Sequence, residues 1–313
     1  MTARSLLDRT GVFFGLILVA AIFGVLVGGQ FFAAANLELM ARQTAIVCMA
    51  ALGMTIVIAA GGIDLSVGSM IALTTVVIAL MLRAEHAPLT AALAGVAAAA
   101  LCGLLNGVLV TQLKVVPFIV TLGTMLIVRG AAKGLAEERR LEAPITWLND
   151  LLRTQGGAAR LPAGIWAVVV LALAVAGVLR YTRFGRHVFA IGSNERMARL
   201  CGVAISPTKI AVYTMAAALV GMAGLLQFSK LSVGDPTVAV GLELDIIAAV
   251  IIGGGSLTGG RGTVAGTIIG AAIMTIIQIG CTQKGLASWV QQIVTGAIIV
   301  AAVALDRLRS VRG

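Results

Sequence analysis

Long apolar stretches separated by single charges dominate the chain. Cutting it at Lys, Arg, Asp and Glu leaves ten apolar runs, at 10–37, 43–63, 65–82, 86–113, 115–129 (which closes on Arg129), 161–179, 210–229, 246–260, 262–283 and 285–305. A hydrocarbon core of about 30 Å takes about 20 helical residues, and most of the runs suffice. Runs 115–129 and 246–260 are short, roughly 22 Å by helical rise, and need flanking side chains or a tilt. The pattern predicts an all-α polytopic membrane protein of about ten transmembrane helices. Residues 1–313 read as a single transmembrane domain without a soluble appendage. Its two longest polar stretches lie at about 130–161 and 180–209, with one span between them. Five runs precede the first stretch and five follow it. An odd number per half permits inverted five-helix halves, although sequence self-similarity is faint.

Composition strengthens this reading. The chain is 59% hydrophobic and 12% charged, and a soluble domain carries roughly twice that charge. The net charge of +10 comes without contiguous basic tracts or interleaved aromatics, so it does not point to nucleic acid. Basic excess in a hydrophobic chain marks the cytoplasmic side. With both termini inside, the inner segments hold 13 basic and 4 acidic residues, and the outer segments 10 and 9. Both termini are therefore expected in the cytoplasm, with 130–161 external and 180–209 cytoplasmic, in a bacterial inner (plasma) membrane. Arg4 and Arg9 before the first apolar run resemble a signal peptide, but the run is too long for one and reads as a retained helix.

Small residues at helical spacing predict close helix contacts: Gly103 with Gly107, and Gly262, Gly266 and Gly270 in register. Cys48, Cys102, Cys201 and Cys281 lack CxxC spacing, and His86 and His187 lie far apart, so neither a disulfide framework nor a metal site is expected.

Catalytic chemistry is not visible. No Walker A pattern occurs, and the glycine clusters at 253–255 and 259–262 lack the lysine that meets phosphates. No Ser-His-Asp set or carboxylate pair stands out, so the chain reads as a non-enzyme with no catalytic residues and no cofactor of its own. If it moves solute uphill, another subunit supplies the energy. Asp64, inside "GGIDLSVGS" (61–69), is the odd charge between two apolar runs. It can serve in a turn that caps the next helix, or in a broken helix lining a solute route. Other intramembrane polar groups are Ser69, Thr124 and Gln291. The pathway candidates are Asp64, Ser66, Asn106, Thr121 and Gln278, with Asn106 and Gln278 foremost.

"GGIDLSVGS" resembles the signature of permease subunits in the ribose, xylose, arabinose and galactose class of ABC importers. Three further stretches are similar to that family, in its order: "LNGVLVTQLKVVPFIVTLGTMLIVRG" (105–130), "GRHVFAIGSNERMARLCGV" (185–203) and "VIIGGGSLTGGRGTVAGTIIGA" (250–271). "IQIGCTQKG" (277–285) departs from it, since members commonly show Asn-Gly-Leu after the glutamine. The resemblance implies a permease for a sugar, or for another polar solute such as a nucleoside or amino acid; a secondary carrier without an ATPase is the contrasting class. It also implies a second permease copy or a similar permease, a cytoplasmic ABC ATPase that binds ATP and Mg, and an external or periplasmic solute-binding protein. Membrane lipid surrounds the assembly. The 180–209 loop would meet the ATPase through Gly192, Asn194, Glu195, Arg199 and Gly202. There Ser193 or Asn194 can cap a short helix, and Gly202 can stop it.

Overall fold

The computed structural model describes residues 3–153 and 161–311, with side chains over 11–153 and 161–304. The side chains of Arg4, Asp8, Arg9, Arg160, Asp306, Arg307, Arg309 and Arg312, which enter the charge count, lie outside the described residues.

Each apolar run coincides with one helix. The first six are α1 (Ala3–Val27), α2 (Ala34–Ala59), α3 (Val67–Arg83), α4 (Pro88–Leu113), α5 (Pro117–Leu135) and α6 (Ala163–Tyr181). Two short helices follow, α7 (Arg183–Ser193) and α8 (Glu195–Leu200), and then α9 (Ile205–Leu231), α10 (Leu242–Ile252), α11 (Val264–Gln283) and α12 (Ser288–Val311). Local chemistry sets several boundaries. Pro88 and Pro117 open α4 and α5, where the missing N–H costs nothing. Thr182 and Thr263 cap α7 and α11 by accepting from Gly185 N and Gly266 N.

Among the described residues, α2, α4, α5, α6, α9 and α11 are each long and apolar enough to cross a membrane. Run 246–260 behaves differently from expectation. Its helix, α10, has 11 residues, about 16 Å by helical rise, and cannot cross alone. Gly253–Gly255 ends it, with Gly254 at φ +91, a conformation that residues with a Cβ rarely adopt.

The centre is formed by α2 and α9, which pack directly on one another. Their most apolar windows are 78% and 67% buried, against 17% to 33% for α4, α5 and α6. α4 lies along α9 and α11 along α2. The α4–α9 seam uses the predicted small residues: a Cβ on Gly103 would strike Ala217 and the Tyr213 carbonyl, and one on Gly107 would lie 2.8 Å from Ile210 Cα. Gly266 and Gly270 likewise press α11 onto the carbonyls of Gly253 and Ala249. Gly262 departs from that stripe because it precedes α11 and faces Thr55 of α2. Outward faces carry bare aliphatics such as Leu105, Ile127 and Leu173, a surface that suits lipid rather than water.

α2 and α9 run antiparallel, and the segments after them turn at opposite ends of the bundle. The end beyond α9 is clasped by a two-residue pairing of β1 (Leu141–Glu142) with β2 (Val233–Gly234). The predicted loop at 130–161 is partly helix, since α5 runs on to Leu135. The opposite end carries α7 and α8, so the stretch at 180–209 holds two helices rather than one.

Candidate functional site

The chain between α2 and α3 folds around Asp64. Asp64 Oδ1 accepts from Ser66 N at 2.9 Å and from Ser66 Oγ at 2.5 Å. Asn106 of α4 donates through Nδ2 to Ser66 Oγ at 2.9 Å and to Asp64 Oδ2 at 3.4 Å. Thr121 of α5 donates to the Ile63 carbonyl at 3.1 Å, and Thr124 donates to the Thr121 carbonyl at 3.2 Å. Four of the five pathway candidates thus meet at one turn, and all four are buried. The hydrogen-bond partners of Asp64 are neutral. Asn106 Oδ1, Ser69 Oγ and the Tyr213 hydroxyl nearby on α9 have no hydrogen-bond partner among the described residues. The bond to Ser66 N makes Asp64 a turn-forming side chain of the kind that bonds its own backbone two residues on.

Gln278 stands apart from this group. It lines an open cleft of about 750 Å³ between α2, α9, α10, α11 and α12, at the end where β1 and β2 pair. Its Nε2 donates to Asp245 Oδ2 at 2.5 Å. Gln43 of α2 and Lys230 of α9 meet across the cleft at 2.5 Å, and Gln291 of α12 lines it too. Asp245, Gln43 and Lys230 are not among the pathway candidates chosen from the sequence. The signal was there: Gln43 opens one apolar run, and Lys230 directly follows another.

The loop residues form a third group. Asn194 ends α7 and caps α8, its Oδ1 accepting from Met197 N at 3.0 Å. Glu195 pairs with Arg199 at 3.3 Å, as i,i+4 spacing allows, and more closely with Lys209 of α9 at 2.7 Å. Gly202, at φ +82, follows the end of α8. Gly192 sits where three chain segments touch. A Cβ there would strike the Ala59 carbonyl and lie 2.5 Å from Gly260 N. Gly259 is equally confined, with Gly192 Cα and Gly61 Cα each 2.9 Å from where its Cβ would be. Gly260 N donates to the Ala59 carbonyl at 3.0 Å across this junction.

No group of three His, Cys, Asp or Glu able to hold a metal occurs among the described residues. The arrangement is one of buried turns, a polar cleft and close helix seams. The family described as branched-chain amino acid transport system / permease component matches residues 36–303. The chain belongs to this permease family. The ribose import permease protein of Escherichia coli strain K12 is 37% identical over 307 residues, covering 97% of this chain and 95% of the relative. The fructose import permease protein of Rhizobium meliloti is 33% identical over 299 residues, 93% of this chain and 83% of the relative. The L-arabinose ABC transporter permease protein of Azospirillum brasilense is 32% identical over 306 residues, 97% and 89%. No solved structure matches the permease.

Proposed function

We propose that this permease is the transmembrane subunit of an ATP-driven importer and forms the pathway for a sugar or sugar-like solute across the bacterial inner membrane. The observation that carries the reading is near-full-length similarity to permeases named for three different sugars, ribose, fructose and L-arabinose. ATP and Mg belong to a separate cytoplasmic ABC ATPase, a solute-binding protein delivers from outside, and a second permease copy or a similar permease completes the pathway. Gln278 lies on that pathway. Asp64, Ser66, Asn106 and Thr121 hold the turn that starts α3, and so act on it through position.

The topology proposed is ten membrane segments with both termini cytoplasmic, α10 being a half-length segment buried against α2 and α11. Contacts between helices support it. Gly15 of α1 faces Ile273 of α11, and Gly280 of α11 faces Phe23 of α1, so the two helices run in parallel and α1 starts at the α7–α8 end. α12 runs back from the cleft toward that same end. α2–α3 and α9–α10 turn at opposite ends, as inverted five-helix halves require. α7 and α8 meet the ATPase, with Met197 and Leu200 of α8 bare at 57% and 82% exposure.

The family description favours a second solute class, a branched-chain amino acid. Uptake separates the two. Cells lacking the gene, complemented with it, should regain ATP-dependent uptake of ribose, fructose or L-arabinose and not of leucine. Leucine uptake alone would overturn the sugar reading. Uptake that persists without any co-purifying ATPase would replace the importer by a secondary carrier.

A further inference from the structure

The cleft contains a carboxylate that the fold leaves half answered. Asp245 is the most buried of the polar groups lining it, at 7% exposure. Among the described residues its side chain has one hydrogen-bond partner, Gln278 Nε2, bonded to Oδ2, and the other oxygen, Oδ1, and Gln278 Oε1 have no protein partner. An ionisable side chain placed among apolar helices is costly and marks a functional position when no structural partner accounts for it. Asp64 fails that criterion, because its own turn satisfies it. Asp245 meets it.

We propose that Asp245 and Gln278 form the permease's own solute contact, a weak site for a polyhydroxylated molecule. This rests on the sugar reading above and assigns its contact residues. Two adjacent hydroxyls of one solute can donate to Asp245 Oδ1 and Gln278 Oε1, both of which accept. Lys230 Nζ, which already donates to Gln43 Oε1, and Gln291 Nε2, which already donates to the Leu286 carbonyl, each keep a further N–H for the remaining oxygens. The cleft, at about 750 Å³, has the size of ligand pockets and room for solute with water. Among the described residues its lining includes no aromatic one, so it lacks the large apolar platform that drives tight binding. Weak binding is what a site requires if it must release solute onward.

Two measurements test this. The first needs no assumption about the solute. Gln291→Cys, in a background where Cys201 is replaced by Ser, should react with a membrane-impermeant maleimide from outside intact cells. Labelling from the cytoplasmic face alone would overturn the site as an entry contact. The second is uptake of radiolabelled ribose, fructose and L-arabinose by cells carrying Asp245→Asn, Gln278→Leu or Gln278→Asn, normalised to the amount of permease in the membrane. For the sugar that wild type carries, Asp245→Asn and Gln278→Leu should cut uptake at least tenfold. Gln278→Asn should recover part of it and alter the preference among the three. Wild-type rates and unchanged preference in all variants would overturn the contact while leaving the importer reading in place. Failure of wild type to carry any of the three, with external labelling intact, would instead sink the sugar reading, and the polyhydroxyl ligand with it.

Discussion

Two turns in this permease are built alike and answered differently. At the end of α2, Asp64 accepts from the N–H and hydroxyl of Ser66, two residues on. Beyond α9, Asp235 accepts from the N–H and hydroxyl of Thr237, also two residues on, at 2.8 and 2.6 Å. The two turns sit at opposite ends of antiparallel central helices. The first is covered by α4 and α5 and receives an amide, Asn106. The second lies at the clasped end and receives a cation, Arg140, at 2.9 Å. The local bonding is therefore sequence-neighbour chemistry that works with or without a counter-charge. What changes is the third partner, which the surroundings choose: an amide where the neighbours are buried too, and an exposed arginine where the buried carboxylate lies beside the exposed Thr237. Asp245 shows the remaining case, a carboxylate with no such turn, bonded to a single amide beside an open cleft.

The largest effect that would sharpen this comparison is expected from Asp64→Ala. It strands the Ser66 N–H and the Ser66 hydroxyl proton in a buried place, at about 1–3 kcal/mol per unsatisfied group, while the Asn106 amide keeps its bond to Ser66 Oγ. Folded permease in detergent should fall steeply in yield and melting temperature, while Asp64→Asn, which keeps Oδ1, should stay close to wild type. Equal losses in both would mean that the charge itself, and not the acceptor, holds the turn.

A smaller effect is expected from Asp235→Ala. Its donors lie nearer to water and can be re-satisfied, so a loss of about 1 kcal/mol is anticipated, read as a modest drop in melting temperature. A loss matching that of Asp64→Ala would erase the distinction between the covered and the open turn.

The smallest is expected from Arg140→Gln. Burial alone would raise the Asp235 pKa, but the hydrogen bonds from Thr237 and the Arg140 guanidinium outweigh it and hold it below its ordinary 3.8. A depressed carboxylate contributes stability above its unfolded value and loses it as pH falls through the folded one. At neutral pH the variant should cost about 0.2–1 kcal/mol, because Arg140 is largely exposed and screened. Its acid unfolding should begin at higher pH than in wild type. An unchanged acid limb would show that Thr237 alone sets the titration.

The helices were legible because a single charge in an apolar run is costly in lipid, so most charges fall near helix ends, although Arg129 lies inside α5. The α8 cap was legible because Asn194 acts on its own neighbours. What could not be read is what distance in the chain hides. Asn106 reaches Asp64 across 42 residues, and Lys209 takes Glu195 from across 14. The cleft gathers side chains from five helices. Gln278 was chosen for its polarity alone, and its separation from Asn106 follows from α4 packing on α9 while α11 packs on α2. The shortness of α10 was masked because its glycines are apolar by composition and helix-ending by conformation.

The contact around Gly192 has a mechanical meaning. Gly61, Gly192 and the pair Gly259–Gly260 come from three of the four stretches that read as separate family signatures, up to about 200 residues apart in the chain. In space they are one joint, where main chain bears on main chain with no side chain between. Side chains give by turning about their bonds, but a backbone pressed on a backbone has no such slack. At this joint α7 touches both the end of α2 that leads into the Asp64 turn and the segment that leads into α11. Those distant signatures describe a single bearing surface, machined by leaving atoms out.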